Sequence, residues 1–445
     1  MKFGIDGFKS IGHLAPLDLA RLTVLAGTNS SGKSSYIQAI LLLKQTLEED
    51  SNSMLKLDGP LFYAASYADI MKDKKLPGNI LFSLSLDETE ILNQEDWEGV
   101  AQLQKIERLD LNIDFKLSES GVLLNKFSLD VRGYERFFNI SFTKSREKDA
   151  YSVEYSHPSL ILPAPERPVS SKKLGKAIID ADSFRKFFPV FAERNGVIHS
   201  FPVVKVMRET LGLFFKRISY IGPLRVKPVL RRSYNTNVPD DVVLPDGENT
   251  RFILNNHQSD RIMADLRKWV CDRFGLSKDI DVIKTSNKEY RVIVEVREGL
   301  KVDLVQMGLG LSQILPIITQ GLISKPGSIF IVEDPDVHMH PGIQAAIADF
   351  FIFLKKERKV CSLIETHSDH FVTRLRRRIA EQAIYSKYID IIFVEHFDSG
   401  SSYTSITVTP NGRFEGDLPP GFCDSQDEDF RAIIKARKNE IRCSD

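Results

Sequence analysis

Apolar residues open the chain in short bursts. Phe3 to Ala26 reads as two strands, the second ending in Leu22-Thr23-Val24-Leu25-Ala26, a run apolar enough to be buried. From Ser34 the period changes to that of a helix, with Tyr36, Ile37, Ile40, Leu41, Leu43 and Leu47 on one face. Leu109, Leu111, Ile113, Phe115 and Leu117 then alternate with polar residues. Phe127, Leu129 and Val131 resume the alternation after Ser118–Gly121, which predicts a hairpin with one buried face. Strand-like residues continue over Phe138–Tyr155. Lys172–Phe191 and Val204–Ile218 predict helices. A third helix is predicted from an N-cap at Ser259 to a stop at Gly275, burying Ile262, Met263, Leu266, Trp269, Val270 and Phe274. After Ile280 strands return: Tyr290–Val296 and Leu300–Val305 flank Arg297-Glu298-Gly299 as a second hairpin. A glycine-rich stretch, a helix, an apolar strand, a second helix and another strand follow. That alternation predicts a parallel sheet covered on both faces. The expected architecture is α/β: a β-rich N-terminal lobe (1–140), an inserted mainly helical segment (141–285) and a C-terminal lobe (286–445), with the core split between the two ends.

Composition narrows the class. At 445 residues, two or three structural units are expected. Hydrophobic residues at 42% and charged residues at 27% fit a soluble globular chain. Lys+Arg and Asp+Glu balance at 60 each, so no global field draws the protein to nucleic acid or membrane. No apolar run is long enough to span a bilayer, and the N-terminus lacks the charged and apolar regions of a signal peptide. Cys271, Cys361, Cys423 and Cys443 have no metal-like spacing. The simplest expectation is a reduced, cytoplasmic protein with no membrane partner. No internal repeat, low-complexity tract or long heptad array is present.

Gly27-Thr28-Asn29-Ser30-Ser31-Gly32-Lys33-Ser34-Ser35 fits G-x-x-x-x-G-K-[ST] between the predicted strand and helix, the order a phosphate-binding loop requires. Glycines let the backbone curl until its N–H groups converge on phosphate oxygens, and the helix N-terminus adds partial positive charge. Lys33 can reach the β- and γ-phosphates, and Ser34 can hold Mg²⁺. Nucleotide binding follows. A second half of such a site lies at Ile329-Phe330-Ile331-Val332-Glu333-Asp334-Pro335-Asp336, a buried strand ending in carboxylates. In doubly wound sheets ligands bind beyond that end. One carboxylate can coordinate Mg²⁺, and its neighbour can orient or deprotonate a water.

Upstream of the acidic strand stands Met307-Gly308-Leu309-Gly310-Leu311-Ser312-Gln313-Ile314-Leu315-Pro316, and downstream Leu363-Ile364-Glu365-Thr366-His367-Ser368. The ordered set resembles ABC-type ATPase heads of the SMC, DNA-repair and OLD kind. It resembles more closely a bacterial family of stand-alone ATPases often found in anti-phage defence loci. That family's S-G-K-S-S-x-x-Q-x-L-L-L-L is matched at Ser31–Leu43, Y-x-G-P-L-R at Tyr220–Arg225 and G-E-N-T at Gly247–Thr250. Its P-E-x-H-x-H-P is matched at Pro335–Pro341 with Asp336 for Glu, and E-T-H-S at Glu365–Ser368. The closing P-x-G-F-F-D appears at Pro419–Asp424 with Cys423 for one Phe.

The resemblance implies an ABC-type P-loop ATPase head that takes ATP and Mg²⁺. It implies that Gly27, Asn29, Ser30, Ser31, Gly32, Lys33, Ser34 and Ser35 bind the triphosphate, and that Ser34 and Glu333 hold the metal. Asp334 would polarise the water, Asp336 would occupy the D-loop, and His367 would contact the γ-phosphate. Gly308, Gly310 and Ser312 stand for the signature that caps ATP on an opposite subunit, implying a homodimer of heads or a higher oligomer. A separate effector protein, such as a nuclease in anti-phage defence, would carry the output. The usual Asp-Glu order is reversed in Glu333-Asp334. Asp334 is one methylene shorter than Glu, and a water misplaced by about an ångström costs roughly a hundredfold in rate, so slow hydrolysis is expected. The signature also lacks the Ser-Gly-Gly-Gln form of transporters, which argues against a transport partner.

Other outputs stay open at this point: an ATP-bound scaffold or sensor with little hydrolysis, or a DNA-maintenance ATPase that clamps nucleic acid directly. Basic residues at Lys216, Arg217, Arg225, Lys227, Arg231 and Arg232, and at Arg374, Arg376, Arg377 and Arg378, read as solvated faces or as a nucleic-acid track. His338 and His340 suggest metal ligands, but without a third nearby they read better as framing the acidic loop. Ile391–Glu395 resembles the first strand of a TOPRIM nuclease. Too few residues follow for that domain, and no Asp-x-Asp strand appears.

Overall fold

A computed structural model of the chain describes residues 1–49, 53–91, 106–133, 137–145, 151–156, 162–163, 173–177, 184–189, 191–194, 197–227, 229, 241–257, 261–286, 289–416 and 433. Two large sheets face one another across helices. Strands β1 (Lys2–Phe8), β2 (Ile11–Asp18) and β3 (Leu22–Gly27) lead into helix α1 (Lys33–Glu48). There follow β4 (Gly78–Asp87), β5 (Ile106–Ser118), β6 (Gly121–Gly133), β7 (Phe137–Lys144), β8 (Tyr151–Tyr155) and β9 (Lys173–Ala177). All of these but β3 form one eight-stranded antiparallel sheet, in the order β9-β8-β7-β6-β5-β4-β1-β2. Its alternation is the expected one: Leu109, Leu111, Ile113, Phe115 and Leu117 of β5 are buried, while the intervening residues face the other side.

Helix α2 (Pro202–Lys216) leads into β10 (Ile218–Ile221). Helices α3 (Thr250–Asn256) and α4 (Arg261–Arg267) precede a three-stranded antiparallel sheet of β11 (Asp279–Ser286), β12 (Glu289–Arg297) and β13 (Leu300–Asp303). The chain then runs through α5 (Leu309–Ile323), β14 (Ile329–Glu333), α6 (Pro341–Phe353), β15 (Cys361–Thr366), α7 (Asp369–Ala380), β16 (Ile389–Phe397) and β17 (Gly400–Ile406). The second large sheet has the order β10-β14-β15-β3-β16-β17, parallel except for β17. The phosphate-loop strand β3, from the start of the chain, thus lies among strands from its end.

Burial explains why these strands are continuously apolar. Leu25, Ile331, Leu363, Ile392 and Val394 face a core shared with α1, α2 and the inner face of the eight-stranded sheet. Val24, Phe330, Val332, Ile364 and Phe393 face a second core built with α5, α6 and α7. Each strand therefore fills both sides, as a covered parallel sheet must.

Two expectations fail. Phe3–Ala26 reads as two strands but holds three, Lys2–Phe8, Ile11–Asp18 and Leu22–Gly27, because the chain turns at Lys9 in the left-handed region. Among the described residues of Lys172–Phe191 there is no helix: Lys173–Ala177 joins the large sheet, and Phe184–Arg185 pairs with Phe188–Pro189. Phe184, Phe187 and Phe188 sit at i, i+3 and i+4, a helical spacing. Their rings instead cap the sheet, edge-on to Phe115 and Phe127 and against Tyr151. Aromatic packing on an existing sheet outweighs local periodicity. The helix at Val204–Ile218 is present as Pro202–Lys216, and Gly275 ends its helix in the left-handed region at φ 64°. Ser259, Arg231, Arg232 and Pro419–Asp424 lie outside the described residues. Among the described residues, no helix is long and apolar enough to cross a membrane.

Candidate functional site

The loop after β3 is shaped by two glycines. Gly27 has φ 148°, and a Cβ there would stand 2.2 Å from the Val394 carbonyl oxygen. Gly32 has φ 106°, and its Cβ would meet Ser401 Oγ at 2.1 Å and Ser10 Oγ at 2.5 Å. No other residue fits either place without displacing a neighbour. The close approach at Gly32 belongs to a clamp. Ser401 Oγ donates to the Ser31 carbonyl at 2.6 Å, and Tyr403 Oη donates to the Gly32 carbonyl at 2.7 Å. Ser10 Oγ lies 3.1 Å from Ser35 Oγ. Those bonds to β17 fix the shape of the loop's backbone. The first turn of α1 has no acidic side chain of its own and no side-chain cap. Lys33, buried at the start of α1, donates from Nζ to the Gly27 and Thr28 carbonyls at 3.0 and 2.7 Å. Burial lowers its pKa, with Glu365 and Asp334 opposing the shift.

Strand order supplies the other half of the site. Glu333 at the end of β14 is in register with Glu365 of β15, which is in register with Leu25 of β3. Because β15 lies between the other two, Glu365 sits between the phosphate loop and the acidic strand. Ser34 Oγ donates to Glu365 Oε1 at 2.8 Å. Tyr220, at the end of β10, donates to Glu333 Oε1 at 2.6 Å. Burial and the Glu333 charge push Glu365 up to about 8, and burial raises Glu333 as well.

Asp334 follows in the left-handed region at φ 46°. Its backbone is fixed: its N–H donates to the Glu365 carbonyl at 2.9 Å, and Arg225 Nη2 donates to the Glu333 and Asp334 carbonyls at 2.5 and 3.1 Å. Burial lowers Arg225 to about 10 against the pull of Asp334 and Asp336. Asp334 Oδ1 stands 4.0 Å from His367 Nε2. His367 is half-buried, and burial and the nearby Lys33 lower its pKa, favouring the neutral imidazole. Asp336 is buried and accepts from Thr366 Oγ1 at 3.0 Å.

The oxygen-rich set of Ser34, Glu333 and Glu365 fits Mg²⁺, which takes one or two carboxylates and fills its sphere with phosphates and water. Glu365 Oε2 is buried without a hydrogen-bond partner, an orphan a cation would satisfy. Among the described residues, no group of three or more His, Cys, Asp or Glu side chains could hold a metal alone. His340 caps α6 by accepting from the Gly342 N–H at 3.2 Å, and His338 takes a left-handed turn at φ 62°, so both frame the acidic loop.

The signature residues sit apart. Gly308 is the N-cap of α5, and Gly308 and Leu309 are exposed at its start. Ser312 is buried, and its hydroxyl donates to the Leu309 carbonyl at 2.7 Å, so the accessible groups here are the backbone of Gly308–Gly310. Gly247–Thr250 is a packing device: a Cβ on Gly247 would lie 2.5 Å from Pro316 Cγ of α5. The arginines of α7 are engaged locally. Arg374 and Arg378 pair with Asp349, Arg377 and Arg378 pair with Glu381, and Arg376 stacks 3.9 Å from the Phe414 ring centre. In the sequence Tyr220 and Glu365 stand only as letters of longer motifs and Arg225 also as one of a basic run, while Ser10, Ser401 and Tyr403 carry no signal there. Their partners lie up to 371 positions away.

A protein-family model described as "AAA domain, putative AbiEii toxin, Type IV TA system" matches residues 206–373, less than half of the chain. The match contains Tyr220, Arg225, the acidic strand and His367 but not the phosphate loop. No curated protein matches the sequence. Solved structures with similar folds include an SMC head bound to the C-winged helix domain of ScpA, at 12% identity over 91% of this chain and 97% of that one, TM-score 0.47. The SMC head domain from Thermotoga maritima is 14% identical over 92% and 98%, TM-score 0.40. An SMC head with an extended coiled coil, bound to the C-terminal domain of ScpA and derived from Pyrococcus furiosus, is 12% identical over 91% and 96%, TM-score 0.45.

Proposed function

We propose that the chain binds Mg·ATP at the carboxyl edge of its central sheet, hydrolyses it slowly, and uses the bound state to bring two copies together. One observation carries this reading: Lys33, Ser34, Glu333, Asp334, Glu365 and His367 meet at one sheet edge, joined by the contacts from Ser34 to Glu365 and from His367 to Asp334. Backbone N–H groups of Gly27–Ser35 and the α1 N-terminus take the phosphates, with Lys33 turning from the Gly27 and Thr28 carbonyls to them. Mg²⁺ would supply charge neutralisation across the phosphates, held by Ser34 and Glu333. Asp334 orients the attacking water and His367 contacts the γ-phosphate. The site's halves come from residues near 22–35 and from 309–406, which supports a core split between the N- and C-terminal lobes around an inserted segment.

The exposed helix start at Gly308–Gly310 is suited to cap ATP on a second copy, through backbone N–H groups and not through the buried Ser312 hydroxyl. Delivery to a separate effector, such as a nuclease in anti-phage defence, rests on the sequence resemblance. The local pairing of the α7 arginines weighs against direct clamping of nucleic acid by that helix. The test is sedimentation beside phosphate release. An Asp334→Asn protein accumulates an ATP-dependent dimer, whereas the wild type forms one that decays as phosphate appears. A monomer in every nucleotide state refutes the switch, and a wild-type dimer that releases no phosphate favours the non-hydrolysing scaffold.

A further inference from the structure

We infer that Glu365, from the strand between the phosphate loop and the acidic strand, is a ligand of the nucleotide-associated Mg²⁺, together with Ser34 and Glu333. The inference rests on the nucleotide-site reading above and adds to it a residue that neither of its two motifs contains. Ser34 Oγ, the hydroxyl expected to bind the cation, is already on Glu365 Oε1 at 2.8 Å. The second oxygen, Oε2, is buried with no partner, on a residue only 5% exposed. An orphaned carboxyl oxygen in the interior is costly, and its group can hold its charge there only if a cation meets it. Glu333 cannot be that something, since it is a second buried carboxylate in the same register position. Lys33 is spent on main-chain carbonyls, and Arg225 reaches the backbone of Glu333 and Asp334 rather than Glu365. A divalent cation between Ser34, Glu333 and Glu365 satisfies both carboxylates at once. Two protein carboxylates are also within the number Mg²⁺ usually takes beside phosphates.

A purely structural role is the competing reading. Glutamine would serve it equally, because its amide can meet the Ser34 hydroxyl and the Glu333 carboxylate without burying charge. Glu365→Gln therefore discriminates. Mn²⁺ is titrated into the full chain with a non-hydrolysable ATP analogue and followed by electron paramagnetic resonance, beside analogue binding in EDTA. The expected result is a loss of at least tenfold in Mn²⁺ affinity, with analogue binding in EDTA within twofold of wild type and phosphate release partly restored by excess Mg²⁺. Unchanged Mn²⁺ affinity overturns the assignment, as does a fall in turnover with the same Mg²⁺ dependence. If Glu365→Gln loses analogue binding in EDTA as well, Glu365→Asp is used. It keeps the charge, and Mn²⁺ affinity no better than that of a Glu333→Gln control would sink the proposal. A wild-type protein that binds no analogue in EDTA or with metal fails the nucleotide-site reading itself, a distinct outcome.

Discussion

Replacing Tyr220 by Phe removes one oxygen and asks whether the acidic strand is held in place from β10. The phenol donates to Glu333 Oε1 at 2.6 Å, and Glu333 is buried. Burial, reinforced by the Glu333 charge, raises the Tyr220 pKa, so the proton stays on the phenol as donor throughout the working range. Hydrogen bonds to charged groups contribute about 1.5–3 kcal/mol, and partners behind a metal ligand alter affinity by roughly 10–100-fold. Tyr220→Phe is therefore expected to raise the Mg²⁺ concentration that half-saturates ATP hydrolysis by roughly ten- to a hundredfold. Nucleotide binding in EDTA should stay near wild type, because the phosphate loop keeps all its own contacts. The assay is a Mg²⁺ titration at fixed ATP, with a melting curve to confirm folding. A half-saturation point within twofold of wild type would refute the positioning argument. So would equal losses with and without metal, which would point to general damage.

Three further outcomes follow from the same geometry. Tyr403→Phe leaves its ring against Tyr36 at 6.2 Å but strips the donor from the Gly32 carbonyl, and should weaken nucleotide binding about fivefold, a loss of about 1 kcal/mol; fluorescence titration showing unchanged affinity would remove β17 from the clamp. Asp336, raised by burial to about 6 from its ordinary 3.8, is protonated in the fold where the unfolded chain is ionised. Its contribution is full below pH 3.8 and is lost as pH rises through about 6, a swing of about 3 kcal/mol. Asp336→Asn should therefore gain melting temperature over wild type on going from pH 4.5 to 7.5, and a constant difference would count against the burial argument. Gly32→Ala, whose methyl would meet Ser401 Oγ and Ser10 Oγ, should lose nucleotide binding in a calorimetric titration, and Ser401→Ala in the same chain should not restore it, because φ 106° strains any side chain.

Local order was legible wherever it was encoded locally. The loop at Gly27–Ser35 needs only neighbours in sequence, and Ile329–Val332 reads as a buried strand because both faces of it are covered. The Leu109–Leu117 alternation translated directly into one face of the large sheet. What failed at Phe184–Phe188 was a helical spacing of aromatics whose partners, Phe115, Phe127 and Tyr151, come from distant strands. Glu365 meets Ser34 across 331 positions only because β15 slots between β3 and β14, and no spacing rule contains that strand order. The position of Ser312 at its helix start does not reveal that its hydroxyl turns back to the Leu309 carbonyl.

Everything proposed for the site depends on Lys33 and its loop holding the phosphates of ATP. Isothermal titration of ATP with Mg²⁺ into wild type and Lys33→Ala measures that directly. Saturable binding by the wild type, weakened at least tenfold in Lys33→Ala through loss of a charge-assisted bond of about 1.5–3 kcal/mol, is the predicted result. No binding by the wild type, or equal affinity in the two proteins, would contradict it.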